Sequence, residues 1–115
     1  MSMDLTVWCD GEISLPNVLP EPSCWQEYKS ERAYEKENWQ VLVVPGEDEE
    51  PGSSILEKFP KASKAYYITL EPIGADAEGY MFLEKVTRAL AKSCGGVWIN
   101  PYGTAYFYNE GSFNE

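Results

Sequence analysis

Apolar and polar positions alternate with two different periods along this chain, and the elements follow from them. Leu5–Cys9 (LTVWC) is short and apolar and predicts a first strand, ended by Asp10-Gly11. Trp39–Val44 (WQVLVV) is β-branched and apolar, stops at Pro45-Gly46, and predicts a buried strand. In Ala65–Glu71, Tyr66, Ile68 and Leu70 alternate with Tyr67 and Thr69, the period of a third strand. Between Ala77 and Cys94 the period changes. Phe82, Leu83, Val86, Ala89, Leu90 and Cys94 recur at helical spacing, with Lys85, Arg88 and Lys92 on the other side. Asp76 is a favourable N-cap for this helix, Glu78 suits its first turn, and Gly95-Gly96 supplies a left-handed stop. Val97–Asn100 and Thr104–Asn109 then predict a hairpin, because Asn100-Pro101-Tyr102-Gly103 has proline and glycine where a type I turn favours them.

Other segments are less periodic. Pro16, Pro20 and Pro22 disfavour helix between Glu12 and Pro22 and predict an extended surface segment. Ser53–Phe59 predicts a short helix with Ile55, Leu56 and Phe59 inward, closed by Pro60. Residues 23–38 carry conflicting signals. Ser23 with Gln26 resembles a capping box and favours a helix. Glu27, Glu31 and Glu35 would stack at i, i+4 and repel one another, so a twisted strand through Tyr34 is the alternative. Strands and helices mix without regular crossovers. The expected architecture is one α+β domain spanning residues 1–115, with about five mixed or antiparallel strands and two or three helices packed on one face.

Length agrees with one domain. At 13.0 kDa, area scaling leaves about two-thirds of the unfolded surface buried on folding. A 43% hydrophobic and 14% aromatic content opposes disorder despite a formal charge of −10. That charge is unevenly distributed. Residues 1–57 hold thirteen acids and three bases, and residues 58–115 hold six of each. A negative field of this kind repels nucleic acid and anionic membrane and speeds encounter with a basic protein. The start, Met-Ser-Met-Asp, lacks the pattern of a secretory signal, and no apolar run approaches ~20 residues. Cys9, Cys24 and Cys94 are odd in number and widely spaced. A cytoplasmic location with reduced thiols is expected.

The candidate chemistry is thin. There is no histidine, which removes the commonest general base and the usual catalytic triads. There is no dinucleotide or phosphate-loop motif, and residues 47–50 lack EF-hand spacing. No enzyme activity, cofactor or metal site is expected. The remaining candidates form a partner surface. The acids Glu27, Glu31, Glu35, Glu47, Asp48, Glu49 and Glu50 are one patch. Tyr106 and Tyr108 are the second, since alternation puts them on one face and Phe107 on the other. No base follows Lys92, which argues against an RNA-stacking sheet.

The segment Tyr66–Pro72 (YYITLEP), a helix, and then Cys94–Gly103 (CGGVWINPYG) form a pattern over roughly residues 65–108. In a small acidic α+β chain this pattern resembles immunity proteins of bacterial polymorphic toxin systems. Such chains often carry aspartate before the proline of the final turn, where this one has Asn100. The resemblance implies a protein that binds and neutralises a cognate toxin in the producing cell. It carries over no site residues. Two other classes are compatible with the same residues. One is a phage-type inhibitor or nucleic-acid mimic occupying a basic groove of a host protein, and the other is a structural or subunit-assembly domain.

Overall fold

The computed structural model describes residues 3–47, 49–71 and 77–115. Eight strands form one sheet: β1 (Met3–Cys9), β2 (Gln26–Tyr28), β3 (Glu31–Glu35), β4 (Gln40–Pro45), β5 (Lys64–Glu71), β6 (Val97–Ile99), β7 (Ala105–Asn109) and β8 (Ser112–Asn114). Three helices accompany them: α1 (Leu15–Val18), α2 (Ser53–Lys58) and α3 (Ala77–Ser93). The strand order is β2-β3-β4-β5-β1-β6-β7-β8, and every neighbouring pair is antiparallel. The fold is therefore α+β, with eight strands rather than about five. The first strand lies inside the sheet, between β5 and β6.

The three extra strands, β2, β3 and β8, come from two hairpins. Residues 23–38 are not a helix. A single 3₁₀ turn (Pro22–Cys24) leads into the β2–β3 hairpin, whose two-residue loop begins with Lys29 at φ 55°. The strand form separates the three glutamates that a helix would stack, and it pairs Glu27 with Arg32 at 3.4 Å. It also turns Tyr34 toward the helix layer. The Tyr34 ring lies 4.2 Å from Phe82 and 5.4 Å from Trp25, and Trp39 joins the cluster 5.9 Å from Phe82. This aromatic burial outweighs the weak capping signal at Ser23. At the other edge, Glu110 (φ 50°) and Gly111 (φ 87°) form the two left-handed positions of a tight turn, and β8 follows.

The helices lie on both sheet faces, not one. The helix α3 buries Phe82, Leu83, Val86, Thr87, Leu90 and Ala91. With α1 and Leu19 it covers Leu5, Val7, Val41, Val43, Ile68 and Leu70. The strand residues between these point the other way. Trp8, Ala65 and Val97 form a smaller core with Ile55 of α2 and with Ala62. Leu56, expected inward, stays exposed, while Phe59 is half-buried against this core. Proline disfavours helix less than expected between residues 12 and 22. Pro16 sits in the first turn of α1, where no amide donor is needed.

The helix end and the final turn follow the expected chemistry. Gly95 adopts φ 63°, the Gly95 N–H donates to the Lys92 carbonyl, and the Gly96 N–H donates to the Ala91 carbonyl. Asp76, the expected N-cap, lies outside the described residues. In the β6–β7 turn the Asn100 side-chain oxygen accepts from the Tyr102 and Thr104 amides at 3.0 and 2.9 Å. Asparagine thus offers this turn the same acceptor that an aspartate would.

Candidate functional site

Strand register places the open part of the sheet. Opposite α3, one cross-strand row runs Asp4, Thr69, Leu42, Ala33, Gln26. On one side of it lies the row Glu71, Gln40, Glu35, and on the other Thr6, Tyr67, Val44. Strand alternation puts all three rows on the same face. Leu42, Val44 and Tyr67 are half-buried and belong to neither core cluster. They form an apolar centre that α2 leaves uncovered. Asp4, Glu31 and Glu35 are exposed and Glu71 half-buried around it. Two of these acids are fixed in place: Asp4 accepts from Thr69 Oγ1 at 2.8 Å, and Glu71 accepts from Gln40 Nε2 at 3.0 Å. Tyr28, on the same face, donates to Gln26 Oε1 at 2.5 Å with Glu35 Oε1 3.3 Å away, and keeps half its surface open.

The acids singled out in the sequence are therefore divided. Glu31 and Glu35 border the open face. Glu27 lies on the opposite face against Arg32, with which it is paired at 3.4 Å. Glu47 lines a separate cavity beside Lys64 and Tyr66. Glu49 and Glu50 are exposed in the loop before α2, and Asp48 lies outside the described residues. The sequence does not single out Asp4 and Glu71: strand phase marks both as polar-side residues, but only the sheet order brings them to this rim.

Tyr106 and Tyr108 stand at the far end of the sheet, and both are half-buried. They share one face while Phe107 takes the other, as alternation requires. Neither projects freely. Tyr106 stacks on Trp98 at 4.5 Å, with the Arg88 guanidinium 5.9 Å from the indole centre. Tyr108 packs on Phe113 at 5.2 Å and, with Lys85, Arg88 and Lys92 of α3, lines a groove of about 450 Å³. Sequence order hid this meeting of bases and aromatics, because the bases precede the tyrosines and reach them across the helix layer. On its other face, Phe107 lies 5.2 Å from the Lys58 ammonium.

The thiols form another local arrangement. Cys9 is fully buried, and its neighbour Cys94 sits at the end of α3. The neighbouring Cys94 thiol, together with burial, pushes the Cys9 thiol well above its ordinary value. The Cys9 thiol in turn holds Cys94 below it, and the Cys94 sulfur lies 3.6–3.8 Å from the Trp8, Leu90 and Ala91 carbonyl oxygens. Cys24 is exposed and apart from this pair. Among the described residues no group of three or more Cys, Asp and Glu side chains is arranged to hold a metal ion, and no helix is long and apolar enough to cross a membrane.

No family model, curated protein or solved structure matches the chain.

Proposed function

We propose that this chain is an inhibitory protein-binding module, an immunity protein that neutralises a cognate bacterial toxin by covering a basic surface of it. One observation carries the reading: a half-exposed apolar centre of Leu42, Val44 and Tyr67, bordered by Asp4, Glu31, Glu35 and Glu71, lies on the part of its sheet face that α2 leaves uncovered among the described residues. An apolar centre with a charged rim is the ordinary anatomy of a protein interface. The rim is negative, which fits a basic partner and raises the encounter rate. The pattern over residues 65–108 that resembles immunity proteins supports the same reading.

The test uses the polypeptide encoded next to this chain, expressed inducibly in a host cell. Co-expression of the wild-type chain should restore growth. The double variant Glu31→Lys, Glu35→Lys should fold and restore growth only at higher expression than the wild-type chain needs. Growth arrest by the neighbour that the wild-type chain does not relieve would overturn the reading.

A further inference from the structure

Residues 1–57 contain only three bases, Lys29, Arg32 and Lys36. Two of them, Lys29 and Arg32, line one cavity of about 490 Å³, and Lys64 joins them from β5. The cavity lies between residues 12–16, the β2–β3 turn, the end of β4 and the start of β5. It is on the α3 side of the sheet, opposite the uncovered apolar face, and what it implies goes beyond the partner reading and does not rest on it.

Its polar groups are held in place with donors to spare. The Arg32 side chain is 18% exposed and is fixed by the Glu27 carboxylate at 3.4 Å and the Glu31 carbonyl at 3.2 Å. A guanidinium carries five N–H groups, so these contacts leave others unused. Lys64 donates one proton to the Gly46 carbonyl at 2.8 Å, and its other two have no hydrogen-bond acceptor among the described residues. Tyr66 is 3% exposed; its oxygen accepts from the Ile13 amide at 3.0 Å, and its own proton has no acceptor among the described residues. Lys29 reaches the site from a left-handed backbone position, φ 55°, which lysine seldom adopts.

We propose that this cavity binds a small organic anion, a carboxylate or phosphate group carried on a compact apolar body. Lys29, Arg32, Lys64 and the Tyr66 hydroxyl supply the donors, and Ile13, Leu15, Pro16 and Pro45 supply the apolar wall. Three cations and two acids, Glu12 and Glu47, line the cavity, and with Glu27 paired to Arg32 from outside the lining the local charge is balanced within a chain of −10. Acids more than about 10 Å away are screened at ordinary salt and oppose the anion little. The volume lies in the range of small-ligand pockets and exceeds what a bare phosphate fills, which is why the anion carries a body. Burial raises the Tyr66 hydroxyl above its ordinary value, so at neutral pH it is a donor and not a competing anion.

The experiment is an amide NMR titration of the full chain with phenyl phosphate, benzoate and, as a neutral control, benzyl alcohol. Saturable shifts at Ile13, Ser30 and Gly46 are expected with an anion and not with the alcohol. A response to only one anion identifies the head group. Lys29→Gln lies in an exposed turn and keeps the fold, and Tyr66→Phe keeps the ring. Each should weaken anion binding about ten-fold, the typical effect of one hydrogen bond to a charged group. The absence of saturable shifts with both anions, an equal response to benzyl alcohol, or unchanged affinity in both variants would overturn the proposal.

Discussion

Gly96 passes so close to Trp8 that a Cβ on it would stand 2.2 Å from the Trp8 carbonyl oxygen and 2.9 Å from the Cys94 sulfur. The carbonyl belongs to β1, which lies inside the sheet and cannot give way. Gly96 also closes α3 through its amide, so the helix end and the central strand meet at one residue. Gly96→Ala should therefore lose about 3 kcal/mol or more, at or above the upper end of ordinary overpacking. Gly11→Ala meets nothing within 4 Å and should change stability by less than about 0.5 kcal/mol. Urea unfolding of both variants checks this. Equal midpoints would mean that β1 and the helix end are not in register as described.

The same layer rests on Leu90, which is completely buried on α3 among the side chains of the larger core. Leu90→Ala should cost about 2–5 kcal/mol through lost contacts and a residual cavity. Lys92→Ala, two residues on and exposed, should stay within about 0.5 kcal/mol. Denaturant unfolding measures both. A Leu90→Ala loss below about 1 kcal/mol with two-state unfolding would show that α3 does not seal the core.

The parts of the fold that were legible in the sequence are those with an undisturbed period. The α3 face, the strands around Val41 and Ile68, and the turn at Asn100 each state their structure locally, through spacing, proline and glycine. The β2–β3 hairpin does not. Its turn uses Lys29 at positive φ, where a glycine or asparagine would have announced it, and its strands are justified only by the contact of Tyr34 with Phe82, 48 positions away in sequence. The β7–β8 turn did carry a signal, Gly111, but only three residues of β8 follow before the end of the chain. The candidate surface was half legible for the same reason. Glu31 and Glu35 were chosen for their charge, whereas Asp4 and Glu71 join them only through sheet order, which a sequence does not display. Reading the acids as one patch also failed at Glu27, because a strand sends alternate residues to opposite faces.

Alkaline pH should destabilise the protein through Cys9 and Tyr66. The neighbouring Cys94 thiol and burial raise Cys9 above its ordinary 9.0, and burial raises Tyr66 above 10.0. Both groups stay neutral in the folded chain and ionise once it unfolds. The folded state then binds more protons, so stability falls with rising pH. Their contribution is fully present below pH 9 and is lost progressively above it. Cys94, held below its ordinary value, acts in the opposite sense around pH 9 and blunts the first part of the fall. Cys9→Ala should flatten the decline above pH 9, measured by urea unfolding between pH 8 and pH 11. An unchanged slope in that variant would mean that Cys9 does not ionise on unfolding as described.

The uncovered sheet face and the tyrosines at the far end make separable forecasts for partner binding. Glu31 and Glu35 are exposed at the rim, so their main effect is on encounter. Glu31→Lys with Glu35→Lys should slow association with the proposed basic partner by about ten-fold at low salt, and by less at physiological ionic strength. Leu42 is at the centre of the apolar patch and only half-buried, so Leu42→Asp should leave the fold intact and mainly speed dissociation. Tyr106 is stacked on Trp98, so Tyr106→Ala should lower stability while leaving both rate constants nearly unchanged. Surface plasmon resonance at two ionic strengths, paired with thermal unfolding of each variant, distinguishes these outcomes. Faster dissociation in Tyr106→Ala and Tyr108→Ala, with normal rates in the Glu31, Glu35 and Leu42 variants, would move the interface to the β7–β8 end and leave the acidic rim as a solubility feature.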